Sequence, residues 1–232
     1  MLIAFEGGEG TGKSTQVAAL AAALHADGFR VRCTFEPGGT PAGQQIRQIV
    51  LGSSHALDAR AEALLFAADR ANHVATVIGP ALRAGEVVLT DRFLDSSLAY
   101  QGAGRSLSVD EVRDLSRWAI GTLTPDLTVV LDLPVAEGLR RAGKRGSADR
   151  LESETLHFHE RVRQAFLAYA AAEPDRYAVV DATGSRTSVA AAVRAAVGAV
   201  LSRRPASPAR EPTAVAPGGG AQRTGDPGEV AT

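Results

Sequence analysis

Cysteine occurs once among the 232 residues, at Cys33, so the chain forms no internal disulfide and no cysteine-based zinc cluster. That usage fits a reducing cytosol, and Cys33 itself reads as a small buried apolar side chain on a strand. An excess of charge is also missing: 25 Lys and Arg stand against 26 Asp and Glu, a formal net charge of −1. The broad basic surface that drives non-specific nucleic-acid binding is thereby excluded, and any cationic region must be local. No run approaches the roughly 18 uninterrupted apolar residues of a membrane span, and Met1-Leu2-Ile3-Ala4-Phe5-Glu6 lacks a basic region ahead of its short apolar run. The expectation is a cytoplasmic protein with neither a membrane nor a nucleic acid as partner. Asparagine is as scarce as cysteine, with Asn72 alone, followed by His73.

What is present suffices for a globular domain, since 45% of the residues are hydrophobic and 22% charged. The composition changes near Leu201, and five of the eleven prolines lie beyond it. A Pro/Gly/Ala-rich segment without apolar period cannot bury enough surface to offset its ordering entropy, so 203–232 is expected to be a disordered tail and 1–202 a single domain. Within that domain short β-branched runs alternate with longer segments of helical period. Strands are expected at Leu2–Glu6, Arg30–Phe35, Val87–Thr90, Leu127–Leu131 and Tyr177–Val180. Helices are expected at Ser14–Asp27, Pro41–Leu51, Ala59–Arg83, Leu94–Tyr100, Val109–Ile120, Pro134–Arg141, Ser153–Ala172 and Thr187–Ser202. Runs such as Val87-Val88-Leu89 are apolar throughout, which suits strands covered on both faces. The predicted class is α/β, a mainly parallel five-stranded sheet wrapped by helices on both faces. No internal repeat is present.

Gly7-Gly8-Glu9-Gly10-Thr11-Gly12-Lys13-Ser14, followed by Thr15, matches the phosphate-binding pattern G-x-x-x-x-G-K-[ST] between a predicted strand and a predicted helix. Its glycines let backbone N–H groups turn toward phosphates, Lys13 reaches the β and γ oxygens, and the Ser14 hydroxyl is placed to ligate Mg²⁺. Nucleotide switches, motors and small-molecule kinases share this loop. A guanine switch needs an Asn-Lys-x-Asp element, which a chain with Asn72 alone does not have. The Asp181-Ala182-Thr183-Gly184 string ends the last strand rather than an early one, and chance accounts for it.

A kinase needs an acceptor site. Asp91-Arg92-Phe93 follows the third strand, at the C-terminal edge where open α/β sheets place ligands. Arg92 has the fork to hold a phosphate, and Asp91 the charge to hold Mg²⁺ or its water. Arg47 and Arg70, each alone a solvated arginine, would line one pocket with Arg92.

Phe5 to Gln16, Glu36-Pro37-Gly38-Gly39-Thr40, Asp91-Arg92-Phe93 and Asp95-Ser96-Ser97-Leu98-Ala99-Tyr100-Gln101-Gly102 together resemble the bacterial thymidylate kinases, from Leu2 to about Ala182. The resemblance implies a P-loop NTPase fold with a mobile lid, ATP and Mg²⁺ as phosphoryl donor and cofactor, dTMP as acceptor, and a homodimer, for which the Leu64–Val77 stretch offers a face. It implies that Phe66 stacks on the thymine ring and that Arg70, four residues on and on the same helix face, donates to a base carbonyl. Ser97 and Gln101 are placed near the base. Tyr100 crowds the sugar 2′ position, Glu9 accepts from the 3′-hydroxyl, and Arg47 and Arg92 clamp the acceptor phosphate. Pro37 follows Glu36 where the family often has a cis peptide. The lid corresponds to about 143–152. Some members carry an arginine at position 10, whereas Gly10 here shifts the transition-state cation to the lid, to Arg145 or Arg150. Phe35 stands where an arginine often precedes Glu-Pro, and Phe93 where a tyrosine is commoner. His157 and His159, two apart on a helix, face different directions and read as structural.

Overall fold

The computed structural model describes residues 1–52, 57–105, 107–144 and 149–203. The expected tail beyond 203 lies outside them, as do Arg145 and its neighbours 146–148. Among the described residues five strands form one sheet: β1 (Leu2–Glu6), β2 (Val31–Phe35), β3 (Val87–Asp91), β4 (Leu127–Asp132) and β5 (Tyr177–Asp181). All pairs are parallel, in the order β2-β3-β1-β4-β5, so each strand's C-terminal end emerges on the same edge.

Period-2 alternation divides β1 between two cores. Ile3 and Phe5 face α1 (Lys13–Ala26) and α9 (Arg186–Arg203), packing with Leu20, Leu24, Leu89, Leu131 and Val193. Leu2 and Ala4 face the opposite layer, where Val88, Ile78 and Phe93 pack against Ile120 of α6 (Val109–Ile120). Val130 of β4 packs on that same side with Tyr100, Phe158 and Phe166, the last two from α8 (Leu156–Ala172). Both faces of the central strands are therefore dry, as their unbroken apolar runs require.

Local signals fix most helix starts. Thr40 caps α2 (Pro41–Leu51) by accepting from the Gly43 N–H at 2.9 Å, with Pro41 at the first helical position. Asp58 caps α3 (Ala59–His73), and Ser108 and Glu111 form a reciprocal capping box on α6. Thr155 caps α8 at Phe158, so that helix begins at Leu156 rather than at Ser153. Ahead of it Asp149 Oδ1 accepts from the N–H groups of Leu151 and Glu152, which turns the chain.

Three expectations are corrected. The segment 59–83 is not one helix: α3 passes through a π-helical turn at Val74–Ile78 into α4 (Gly79–Arg83). Pro80 has no N–H to return to the preceding turn, and the wider turn absorbs that loss. Similarly, α5 (Leu94–Ser97) widens into a π-helical stretch at Leu98–Gly104, where Gly102 abuts Val109 and Gly104 abuts Phe158. Cys33 is exposed, because β2 is an edge strand whose flank is only partly covered. The other element boundaries differ from expectation by one or two residues, with α7 spanning Val135–Gly143.

Candidate active site

The C-terminal edge of the sheet opens into a cavity of about 530 Å³. The loop after β1, the turn after β3, α2, α3 and the 149–152 turn line it. Glu9, Gly10, Gly12, Lys13, Ser14, Thr15, Pro37, Arg47, Phe66, Asp91, Arg92, Ser97, Tyr100 and Gln101 all face it. Residues far apart in sequence thus meet as the motifs require. Gly7, Gly8 and Thr11 form the back of the loop, with the Thr11 hydroxyl donating to the Gly8 carbonyl.

Lys13 is buried, and its Nζ donates to the carbonyls of Gly7 at 3.1 Å and Gly8 at 2.8 Å. Burial, assisted by the nearby Arg92 cation, lowers its pKa to about 8, while Glu9 and Asp91 oppose the shift. Gly10 has φ +66°, and a Cβ there would collide with the Gly138 carbonyl of α7. A Cβ on Gly138 would in turn collide with the Glu9 carbonyl. The loop and α7 therefore touch backbone to backbone, and position 10 has no room for a long cationic side chain.

Register puts Asp91 opposite Phe5, one residue from the loop. Ser14 Oγ donates to Asp91 Oδ2 at 2.5 Å, which joins two hard oxygen donors of the kind Mg²⁺ prefers. No cluster of three or more His, Cys, Asp or Glu gathers among the described residues. The donor set fits an ion held chiefly by nucleotide phosphates and water, with protein oxygens on one side.

Arg92 has φ +74°, the left-handed region that a side chain occupies at a cost, and a dense network holds it there. Its Nη2 donates to Glu9 Oε1 at 2.7 Å and to the Tyr100 hydroxyl at 3.1 Å, and its Nη1 donates to Ser96 Oγ at 3.1 Å. The guanidinium lies 4.9 Å from the Tyr100 ring centroid. Tyr100 also donates to Glu9 Oε1 at 2.7 Å. Behind them Glu6, fully buried, accepts from the N–H groups of Phe93 and Ser96 and from the Ser96 hydroxyl at 2.6 Å. Burial and the neighbouring Asp95 raise the Glu6 pKa.

The acceptor wall rests on Glu36, which accepts from Arg70 Nε at 2.7 Å and pairs with His73 Nδ1 at 2.8 Å. Arg70, expected on the pocket surface, is itself buried; it also donates to Ser97 Oγ at 3.0 Å and the Phe93 carbonyl at 3.0 Å. Two of its five N–H groups have no partner in these bonds. The Glu36–Pro37 peptide is cis, and the Pro37 carbonyl accepts from Arg47 Nη1 at 2.8 Å. Phe35, the departure from the commoner arginine, lies 5.9 Å under the Arg47 guanidinium and gives it an aromatic platform.

Arg150 is not among the residues that line the cavity, although its neighbours Asp149, Leu151 and Glu152 are. Its Nε donates to the Val50 carbonyl at 2.9 Å and its guanidinium pairs with Glu62 of α3. Arg145 lies outside the described residues. His159 is buried as expected of a structural residue, in edge contact with Phe158, although its Nε2 has no hydrogen-bond partner among the described residues. Sequence reasoning missed Glu6 and Glu62. Each is an acid within an apolar run or on a helix, and nothing local marks it as buried.

Comparison with known proteins agrees along most of the chain. The thymidylate kinase family profile matches residues 5–193. The thymidylate kinase of Clavibacter sepedonicus is 57% identical over 196 residues, covering 84% of this chain and 93% of that one. That of Deinococcus radiodurans is 51% identical over 197 residues, covering 85% and 96%. The crystal structure of thymidylate kinase from Ehrlichia chaffeensis superposes with a TM-score of 0.69 at 30% identity, over 85% of this chain and 98% of that chain.

Glu9 supplies a stability test. Burial alone would raise its pKa, but Arg92, Lys13 and the Tyr100 hydroxyl outweigh that and hold it down from 4.5 to about 2. The stability it contributes is complete above pH 4.5 and is lost as pH falls toward about 2. Urea unfolding followed from about pH 6 to about pH 3 should show the wild type losing stability more steeply than Glu9→Gln. Parallel curves would remove Glu9 from the acid limb.

Proposed function

Since the chain belongs to the thymidylate kinase family and phosphorylates dTMP, we propose that it does so in the cavity at the C-terminal edge of the sheet, taking the γ-phosphate of ATP with Mg²⁺. The observation that carries the reading is the Arg92–Glu9–Tyr100 network, which joins the donor loop to the acceptor wall within hydrogen-bond distance.

The phosphate loop, Gly7 to Thr15, holds the donor phosphates, and Lys13 leaves its carbonyl partners for the β and γ oxygens. Mg²⁺, held through Ser14 and Asp91, would neutralise charge on those oxygens. On the acceptor side Arg92 and Arg47 clamp the dTMP phosphate, Arg92 exchanging its Nη1 bonds to the Gly7 carbonyl and the Ser96 hydroxyl for it while Nη2 stays on Glu9. That phosphate has a second pKa near roughly 6, so it is largely a dianionic nucleophile at neutral pH and needs no general base. The residues align the two phosphates and balance their charge. Glu9 Oε2 has no partner among the described residues and is free to accept from the sugar 3′-hydroxyl. Tyr100, pinned through its hydroxyl, fills the space beside C2′. Phe66 stacks on the base, while Arg70, Ser97 and Gln101 read its polar edge, with Pro37 closing the rim.

The cation that meets the transferring phosphoryl group comes from the lid, Arg145 or Arg150, because Gly10 is sealed against Gly138. Arg150 would have to exchange Glu62 for the phosphates. Leu64 on α3 and Trp118 on α6 are the large apolar side chains these neighbouring helices expose, at 57% and 87%, and we assign them to a homodimer face. No helix among the described residues is long and apolar enough to cross a membrane.

An ADP-release assay with ATP against a panel of nucleoside monophosphates should show preference for dTMP, and Lys13→Ala should abolish turnover while leaving the circular dichroism spectrum unchanged. Preference for AMP or CMP, or a fully active Lys13→Ala, would overturn the proposed use of the site. Arg145→Ala and Arg150→Ala, singly and together, should lower kcat by about 10²–10³-fold with little change in KM for dTMP, the scale of losing one transition-state donor. A change confined to KM would place the cation elsewhere. Light scattering should give twice the 24.0 kDa chain mass, and Trp118→Glu should halve it. A wild-type monomer would remove the dimer.

A further inference from the structure

Glu62 is 1% exposed, yet it faces three polar partners from distant segments. Its Oε1 accepts from Gln101 Nε2 at 2.8 Å, and its Oε2 pairs with Arg105 at 3.4 Å and with Arg150. Gln101, also 1% exposed, lines the cavity. Oxygen and nitrogen of a glutamine amide are ordinarily assigned from their partners, and here the partner decides. A carboxylate paired with two guanidiniums offers acceptors only, so the amide nitrogen must face it. The Gln101 carbonyl oxygen is thereby left for the cavity. Turning the amide over would set that oxygen against a carboxylate oxygen in a buried site, two acceptors with no proton between them.

Beside Gln101, Ser97 Oγ accepts from Arg70, so its own proton remains for an acceptor in the cavity. The wall therefore shows a donor next to an acceptor. Thymine and uracil present the complementary edge, a C4 carbonyl beside an N3–H. Cytosine presents the reverse, an N4 amine beside a bare N3; the Ser97 hydroxyl can turn to accept from the amine, but the bare N3 would face the Gln101 carbonyl oxygen, two acceptors with no proton between them.

We infer that Glu62 determines which pyrimidine the site accepts, by locking the Gln101 amide with its carbonyl oxygen toward the base. Glu62 is a positioning residue, since it acts through Gln101. The inference rests on the dTMP reading of the cavity and deepens it. It accounts for a buried acid on α3 that the phosphoryl-transfer chemistry does not use.

Titration calorimetry with dTMP, dUMP and dCMP separates this role from a structural one, because dUMP shares the thymine edge and lacks only the methyl group. In Glu62→Gln the residue at position 62 has an amide that donates as well as accepts, so Gln101 is free to turn. The ratio of dCMP to dTMP dissociation constants should fall at least about tenfold, or about 1.4 kcal/mol of discrimination, while the dUMP to dTMP ratio stays within about twofold. Ratios within one variant are insensitive to any disturbance of Arg105 and Arg150 that all three ligands share. Gln101→Met should lose the same discrimination, and adding Glu62→Gln to it should change the ratio no further. Wild-type discrimination in Glu62→Gln, equal loss against dUMP and dCMP, or discrimination retained in Gln101→Met would each overturn the inference. If Glu62→Gln does not fold, the Gln101→Met ratio still decides. A wild-type protein that binds dCMP better than dTMP would instead refute the dTMP reading itself.

Discussion

Two oppositely charged groups, Arg92 and Glu9, hold the site in shape at 2.7 Å. A pocket built to receive two polyanions must gather cations, and Lys13, Arg92 and Arg47 would repel one another if nothing stood between them. Glu9 supplies the opposing charge from inside the phosphate loop, and Tyr100 bonds to both partners. The pair is partly buried, so removing either member would strand the other in a poorly solvated position. The left-handed backbone at Arg92 persists because the guanidinium is fixed on the loop side and the following N–H groups are fixed by Glu6. Loop, turn and acceptor wall consequently form one electrostatic unit, and near-neutral net charge is the global counterpart of this local pairing.

The fold was legible where its signals are local. Short β-branched runs located all five strands, including the polar-interrupted Val31–Phe35, and the phosphate loop could be placed because strand, glycines, lysine and helix are contiguous. The helix starts at Pro41 and Val109 were placed from the helical period, and the structure shows Thr40 and Ser108 capping them. Pro80 was visible in the sequence, but whether a proline breaks a helix or widens it depends on the packing around it, and here the chain takes a π-helical turn. Cys33 misled because burial was judged from residue type, whereas position at a sheet edge decides it.

Within the site, legibility follows the same rule. Residues in compact motifs, such as Lys13, Arg92 and Tyr100, were identified and do converge. Arg70 was read as a pocket donor, and it is also the buried strut between Glu36, Ser97 and Phe93. In the sequence Glu62 is simply an acid in the first turn of α3, favourable there through the helix dipole. Its burial depends on Gln101, Arg105 and Arg150, residues 39 to 88 positions away, and no window of sequence contains that encounter.

The exposed position of Cys33 has a practical side. It is the chain's single thiol, it lies on the edge strand, and it lines the same cavity as the phosphate loop and Arg47. A maleimide fluorophore or spin label therefore attaches at one defined point per chain, on the rim of the nucleotide cavity, with no second thiol to contribute background. The natural sequence already carries the labelling site for watching that cavity fill and empty.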